Sequence, residues 1–424
     1  MRIAVFGIGN IGLPLSCMFA SVGEVIAADI DKKKVEMINK GISFLPNEER
    51  VPELLKKYVK EKRIEGTTDL GYAAKNSDVK VIIVPLLLTE EKKPDFSIVR
   101  EVCEIIGRNL KKGDLVIVST TMPLGTTRNI VGKILVERSR MKIGQDFYLV
   151  YAPEKTMNPH VIDDMTERWH QIVGGVNKES AEKAAEIYRQ FNKRGVVVVE
   201  KIETAEMIKL LDGIYRYTNI ALANEVAFLC EKFDVDFIEV MKSFNLVAYY
   251  NLHKATIGVG GHCIPVYPHF VLDQIGEYDL IKPSIRINQK MPERAIEIIE
   301  KKIGPLKGKK IAVLGLSYRG DIKEDRFSPT YDVVNILKTR KAEVFINDPY
   351  FTKDELENKT RVKFIGIKDI NSMDGVIVAT DHADFAKINF GGNLKFVFDG
   401  KAFLNPEKIK KAGIKYLAIG RTAL

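Results

Sequence analysis

The first twelve residues constrain the fold more than any other stretch. Arg2-Ile3-Ala4-Val5-Phe6 is an apolar run of strand length that leads straight into Gly7-Ile8-Gly9-Asn10-Ile11-Gly12, and a helical pattern follows to about Val22. Strand, glycine turn and helix in that order open a nucleotide-binding βαβ unit. The first glycine permits the tight turn, the second lets the backbone approach a pyrophosphate, and the third allows close packing of helix on strand. The helix N-terminus then offers its N–H groups and positive dipole end to the phosphates. The next strand, Val25 to Ala28, ends on Asp29, twenty positions past Gly9. A carboxylate there accepts from ribose hydroxyls and repels a 2′-phosphate, which favours NAD over NADP. Asn10 and Ile11 in the loop, Lys34 beyond the acid, and Val84-Pro85 after a later apolar run are further candidate cofactor contacts.

The same rhythm continues. Val79 to Val84, Leu115 to Val118 (followed by Ser119-Thr120-Thr121) and Phe147 to Tyr151 read as strands between helical stretches. Such alternation predicts a doubly wound parallel sheet. From about Glu203 to Phe233 there is no proline, and apolar residues recur at helical spacing. A helix of about 30 residues, roughly 45 Å long, often links domains or forms a dimer seam. Helical pattern persists to about Lys302. Near Gly308 the α/β rhythm restarts with the strand Lys310–Leu314 and the loop Gly315-Leu316-Ser317-Tyr318-Arg319-Gly320, a partial echo of the first glycine loop. Glu343–Ile346, Gly375–Ala379 and Phe396–Phe398 are later strands. The expected α/β architecture is two Rossmann-like doubly wound parallel-sheet domains, 1–200 and 303–424, joined by a central helical domain, 201–302.

Composition narrows the partners. No apolar run reaches the roughly 18 residues of a membrane span, and the N-terminus is too quickly structured for a signal peptide. The four cysteines, Cys17, Cys103, Cys230 and Cys263, are scattered without a CxxC pair, so neither a zinc site nor a disulfide framework is indicated. A reducing cytoplasm is the simplest home. The net charge of +9 comes from basic residues interleaved with acids, which reads as a solvated surface or as a field that attracts polyphosphate ligands. No aromatic–basic module suggests nucleic acid.

Chemistry concentrates at Gly258-Val259-Gly260-Gly261-His262-Cys263-Ile264-Pro265. A lone cysteine is usually a small buried hydrophobe. Here Gly258, Gly260 and Gly261 expose backbone N–H groups suited to a phosphate or an oxyanion. Beside a nicotinamide site, a thiolate can hold an aldehyde covalently for a second oxidation. His262 is either an activating base or a structural neighbour. Lys209, on the long helix, is either a snorkelling surface residue or a cleft residue that carries a proton or meets an oxyanion. Glu154 follows Pro153 at a strand end, where α/β sheets place functional groups; the alternative is a first-turn acid.

These segments together resemble the UDP-glucose/GDP-mannose dehydrogenase family of nucleotide-sugar 6-dehydrogenases, in particular the branch acting on UDP-N-acetylhexosamines such as UDP-N-acetylmannosamine. The motifs are GIGNIGLPLS, Val84-Pro85, Thr120-Thr121-Met122-Pro123-Leu124-Gly125-Thr126-Thr127, Ala152-Pro153-Glu154-Lys155, Glu203-Thr204-Ala205-Glu206 with Lys209, Asn219 to Glu225, VGGHCIPV, GLSYRGDIKEDRFSP, Asn347-Asp348-Pro349 and Phe398-Asp399-Gly400-Lys401. The resemblance implies an NAD domain, a central helical domain that forms a homodimer, and a UDP-binding domain. It implies oxidation of the sugar C6 alcohol to the uronate with two NAD. Cys263 is then the nucleophile, Glu154 assists hydrolysis, Thr121 positions the water and Lys209 stabilises the oxyanion. Arg326 meets the NAD phosphates, and Thr121 also lies at the cofactor. Tyr318 and Arg319 contact UDP. Asn251 and the Gly258, Gly260 and Gly261 backbone cradle the nucleotide sugar, with Glu154, Lys155 and Lys209 also at the substrate.

The chain departs from the family pattern at defined places. Gly213 stands where an asparagine usually follows the lysine by four, and Tyr267 where an aspartate usually follows the cysteine by four. Asn158, Phe327, Ala255-Thr256 and Tyr249 also differ from the usual acid, Glu, Pro-Gly and Arg. Gly213 and Tyr267 motivate a second reading, a nucleotide-sugar-binding homologue without turnover; a third is a two-electron dehydrogenase of the hydroxyacid type, with Lys209 as acid/base and Cys263 idle.

Overall fold

A computed structural model describes residues 1–157, 159–276 and 279–421, so Asn158 lies outside the described residues. The chain forms two compact units, residues 1–212 with 269–274, and residues 213–268 with 275–424. The helix Ile202–Phe233, 32 residues long, contributes to both, through Asp212 to the first and from Gly213 to the second.

The first unit contains β1 (Arg2–Phe6), β2 (Glu24–Ala28), β3 (Ile64–Thr67), β4 (Val79–Ile82), the short antiparallel pair β5 (Leu87–Leu88) and β6 (Pro94–Asp95), β7 (Leu115–Val118), β8 (Tyr148–Tyr151), β9 (Gln171–Gly175) and β10 (Val196–Val199). Eight of these form one sheet in the order β10-β9-β8-β7-β4-β1-β2-β3. All neighbours are parallel except β8 and β9. Both faces of the sheet are covered. Ile3 and Val5 enter one apolar cluster while Ala4 and Phe6 enter another, which is why the strands are continuously apolar instead of alternating. The strand order reverses between β1 and β4. Ligands of open α/β sheets bind in the crevice at such a switch point, beyond the carboxyl ends of the strands.

The second unit contains β11 (Lys310–Leu314), β12 (Glu343–Asn347), β13 (Lys363–Phe364), β14 (Gly375–Val378), β15 (Phe396–Asp399) and β16 (Lys415–Ala418), in the order β13-β12-β11-β14-β15-β16, all parallel. Its switch point lies between β11 and β14. Ile311 and Val313 face one cluster, Ala312 and Leu314 the other.

Boundaries shift where local contacts end an element early. The helix after the first glycine loop covers Gly12–Phe19, not Asn10 to Val22. The N–H groups of Val22 and Gly23 turn back to the Phe19 carbonyl, which releases the chain into β2. The strands β3 (Ile-Glu-Gly-Thr) and β9 (Gln-Ile-Val-Gly-Gly) carry little sequence signal of their own, whereas β10 is four consecutive valines. Both β3 and β10 are half-exposed sheet edges; pairing makes a strand of the mixed residues of β3, while β-branched valines favour one at β10.

Candidate active site

The glycine loop at the end of β1 is held from both sides. The Gly7 N–H donates to the Ala28 carbonyl at 2.9 Å, and the Ile83 N–H donates to the Phe6 carbonyl at 2.9 Å. A Cβ on Gly12 would fall 1.9 Å from the Gly7 carbonyl oxygen, so the third glycine is demanded by close approach of the helix to the turn. A Cβ on Gly9 would meet no atom within 4 Å. The loop therefore presents an open backbone face at the second glycine, where a pyrophosphate fits.

Asp29 organises the loop. One carboxylate oxygen accepts from the Ile8 N–H at 2.7 Å and the other from the Asp31 N–H at 2.9 Å. Val84 is buried, with its Cγ1 3.0 Å from where a Gly7 Cβ would stand, and its carbonyl accepts from the Thr120 hydroxyl at 2.7 Å. Pro85 and Asn10 are exposed, and Ile11 is half-buried. Lys34 lies in the helix Lys32–Asn39 with its ammonium 5.6 Å from the centre of the Phe44 ring. Beyond Asp29 a cavity of about 470 Å³ is lined by Ile30, Thr68, Leu70, Ile105 and Arg108, among others.

The long helix reaches the carboxyl ends of β7 and β8 with two charged side chains one turn apart. Glu206 is fully buried and accepts from the Gly125 N–H at 2.6 Å and the Thr127 N–H at 2.8 Å. Burial pushes its carboxyl up, against the downward pull of the bonds from Thr127 and Gly125. Those bonds anchor the turn that begins at half-buried Thr121. Lys209 donates to both the carbonyl and the carboxylate of Glu154, each at 2.6 Å. Lys155 lies 3.6 Å from the Asp212 carboxylate. Thr121, Glu154, Lys155 and Lys209 thus gather at one end of the first sheet. Sequence reading assigned no role to Glu206; its signal was its place one turn before Lys209.

In the second unit, asparagines of the long helix pin the segment that leads to Cys263. Asn219 donates to the Asn251 carbonyl at 2.7 Å and accepts from the His253 N–H at 2.8 Å. Asn224, fully buried, accepts from the Thr256 N–H at 2.9 Å and donates to Asn288 at 3.0 Å. The glycine segment is seated on the 318–329 loop. A Cβ on Gly260 would lie 2.6 Å from the Tyr318 Cβ, and one on Gly258 would lie 2.5 Å from the Pro329 Cβ. The Gly261 N–H donates to the Arg326 carbonyl at 2.9 Å. His262 turns to Glu324, at 2.9 Å, and so joins the two loops. On the Glu324 carboxyl burial works upward, but the bond and charge of His262 outweigh it and hold the group below its usual range. Tyr318 and Arg319 are half-buried; the side chains of Arg326 and Asn251 are exposed.

Cys263 is exposed, whereas Cys17, Cys103 and Cys230 are buried. Burial pushes the Cys17 and Cys103 thiols up to about 12 and the Cys230 thiol up as well. Among the four, Cys263 alone is accessible to a substrate or reagent.

The second glycine loop repeats the plan of the first in detail. The Gly315 N–H donates to the Asn347 carbonyl at 2.7 Å, and the Leu316 N–H donates to Asp348 at 2.7 Å, as Gly7 and Ile8 do to Ala28 and Asp29. The outcome differs. Asp348 is buried and is met by the Ser317 N–H and by His382 at 3.0 Å. A Cβ on Gly315 would lie 2.2 Å from the Thr380 Cβ. The second acid is a structural anchor, whereas Asp29 is left half-exposed.

Three family models match the chain: the NAD binding domain of the UDP-glucose/GDP-mannose dehydrogenase family over residues 1–192, its central domain over 203–291 and its UDP binding domain over 312–406. The UDP-N-acetyl-D-mannosamine dehydrogenase of Pyrococcus horikoshii is 34% identical over 435 residues, covering 99% of each chain. A solved structure of UDP-D-ManNAc dehydrogenase from Pyrococcus horikoshii superposes with a TM-score of 0.90 at 32% identity, covering 100% of both chains. A UDP-glucose dehydrogenase from Pyrobaculum islandicum shares the fold, with a TM-score of 0.89 at 24% identity over 99% of this chain and 97% of that one. Among the described residues no helix is long and apolar enough to cross a membrane. With an open NAD loop in the first unit, an accessible thiol in the second and family matches along most of its length, the chain belongs to the UDP-glucose/GDP-mannose dehydrogenase family and carries that family's NAD-binding and UDP-binding domains.

Proposed function

We propose that the chain oxidises the C6 alcohol of a UDP-N-acetylhexosamine, UDP-N-acetylmannosamine before UDP-N-acetylglucosamine, to the uronate. The observation that carries this reading is the accessible Cys263 thiol, the one exposed cysteine of the four, in a chain 34% identical over its length to a protein named for UDP-N-acetyl-D-mannosamine. NAD, when bound, accepts a hydride in each of two steps. After the first, the Cys263 thiolate adds to the aldehyde carbon and forms a thiohemiacetal. Its alkoxide collapses to a thioester as the second hydride leaves, and water then cleaves the C–S bond to give the carboxylate and return the thiol. The proposed roles in the first unit are a stabilising cation for the oxyanion at Lys209, assistance to hydrolysis at Glu154 and orientation of water at Thr121. The cavity beside Asp29 suits the adenosine part of NAD. In the second unit Asn251, Tyr318, Arg319 and the backbone of Gly258, Gly260 and Gly261 are proposed for the nucleotide sugar, although the Gly261 N–H is already given to the Arg326 carbonyl, and Arg326 is proposed for the NAD phosphates.

A homodimer is part of the proposal. Tyr215, Leu222 and Leu229 lie seven apart on the long helix and are 46%, 54% and 57% exposed, a stripe that a second copy would cover. Replacing Leu222 and Leu229 by Glu should yield a monomer by light scattering. We propose the cytoplasm as the location and surface-glycan synthesis as the use of the product.

The deciding experiment is the NADH yield per sugar consumed, with UDP-N-acetylmannosamine, UDP-N-acetylglucosamine and UDP-glucose in turn, for the wild type and Cys263→Ala. Two NADH per sugar, lost together with uronate in the variant, is the expected result. One NADH per sugar with no dependence on the thiol selects the two-electron reading. Binding of NAD and UDP-sugar without NADH selects the non-catalytic one.

A further inference from the structure

Gly213 and Tyr267 interlock. A Cβ on Gly213 would stand 2.2 Å from Cδ2 and 2.9 Å from Cγ of the Tyr267 ring, far inside the roughly 3.5–4.0 Å at which carbon atoms rest in contact. The ring occupies the place where a side chain at 213 would begin. Tyr267 is only 5% exposed, and Gly213 is buried. Glycine is the poorest helix former after proline. Its place inside a 32-residue helix is explained by the space it leaves for this ring.

The other end of Tyr267 is tied to the nucleophile's own residue. Its N–H donates to the Cys263 carbonyl at 3.0 Å, and the Val266 N–H donates to the same oxygen at 3.1 Å. The chain thus turns tightly from Cys263 into the helix Tyr267–Ile275. On the upstream side the segment is seated by Gly260 against Tyr318 and by the Gly261 N–H on Arg326. The thiol sits between two anchors, one of which is a ring wedged against helix backbone.

We infer that Gly213 and Tyr267 act as one coupled element that positions the Cys263 thiol, with Tyr267 a positioning residue and Gly213 its obligatory seat. The importance of that positioning for turnover rests on the reading of Cys263 as the nucleophile; the coupling itself does not. The two departures from the family pattern, four residues after Lys209 and four after Cys263, are accordingly a single change. A side chain at 213 and an aromatic ring at 267 exclude each other.

The test uses the full chain and the rate of Cys263 alkylation by iodoacetamide between about pH 6 and pH 9, a range that brackets an ordinary thiol near 8.5. The other three thiols are buried, and Cys263→Ala supplies the blank. Gly213→Ala should change the rate by about threefold or more, and Tyr267→Ala likewise. In the Tyr267→Ala background, Gly213→Ala should have a much smaller effect than in the wild type, because the ring atoms at 2.2 and 2.9 Å are gone and only the Cβ at 3.0 Å remains. In the Tyr267→Phe background, which keeps the ring, Gly213→Ala should have its full effect. A wild-type profile for Gly213→Ala, or an undiminished Gly213→Ala effect in the Tyr267→Ala background, overturns the inference. Where Gly213→Ala fails to fold, a folded double variant supports the coupling and an unfolded one overturns it. Undiminished uronate formation by Cys263→Ala would instead sink the nucleophile reading and leave the alkylation result standing on its own.

Discussion

The Lys209 ammonium holds Glu154 twice, through the backbone carbonyl and through the carboxylate, at 2.6 Å each. The side chains are 8% and 12% exposed, so this is an ion pair largely removed from water. It fixes where the residue after Pro153 leaves the sheet. Glu206, one helical turn earlier, does the same for the turn that carries Thr121. One rigid helix thus sets two loop ends at once, and side chains on a helix keep their geometry better than side chains on a loop.

Lys209→Ala should lower kcat by about a hundredfold or more, the usual cost of one oxyanion partner. It should also cost about 1–3 kcal/mol of stability, because the nearly buried Glu154 carboxylate loses its donor. Steady-state NADH formation and denaturant unfolding read the two effects separately. A variant with normal kcat but lower stability would reduce Lys209 to a structural clamp.

Asp29→Ala should raise KM for NAD by about tenfold or more, since hydrogen bonds to a charged group contribute about 1.5–3 kcal/mol. Two effects add here: the ribose acceptor is lost, and the Ile8 and Asp31 N–H groups lose theirs. Binding of UDP, measured by calorimetry, should be unchanged. An unchanged KM for NAD would remove Asp29 from the cofactor site.

The most deeply buried ion pair of the first unit lies away from the reaction. Lys80, on β4, donates to Asp114 at 2.5 Å, with the two side chains 0% and 5% exposed. Burial pushes the lysine down, and Asp114 works against that. Asp114→Ala should destabilise the chain by about 3–5 kcal/mol, because it strands a buried cation, while a Lys80→Met, Asp114→Leu double change should recover most of the loss. Chemical denaturation of the three proteins distinguishes these outcomes.

In the second unit, Asp348 should make stability depend on pH at the acid end. Burial works upward on its carboxyl, but the hydrogen bond and charge of His382 and the Ser317 N–H outweigh it and hold the group below its ordinary value. A carboxyl depressed on folding stabilises the folded state above the unfolded value, about 4, and loses that contribution as pH falls through the lower folded value. Asp348→Asn should therefore lower stability at neutral pH and flatten its decline below about pH 4. Equal slopes in wild type and variant would contradict this.

The two glycine loops illustrate what could be read from residues alone. Strand, GxGxxG, helix and the acid at the end of the second strand are local in sequence, and each has a backbone reason, so the NAD-binding fold was legible. The echo at Gly315 was legible as a fold for the same reason. That its acid is closed over by His382 was not, because His382 lies 34 residues downstream of Asp348 and arrives only through packing of β14 beside β11. The edge strand β3, Ile-Glu-Gly-Thr, carries little apolar pattern, whereas the four valines of β10 make that edge legible.

The same division runs through the candidate site. Sequence by itself determined the fold class, the cofactor and the residues worth naming, because turns, helix starts and apolar rhythm are written in neighbouring residues. Tertiary structure decided what those residues do to one another. It turned His262 to Glu324, buried three thiols and exposed the fourth, and made Gly213 the seat of Tyr267. These are relations of volume and distance between positions tens of residues apart, and a linear pattern does not encode them until the chain has packed.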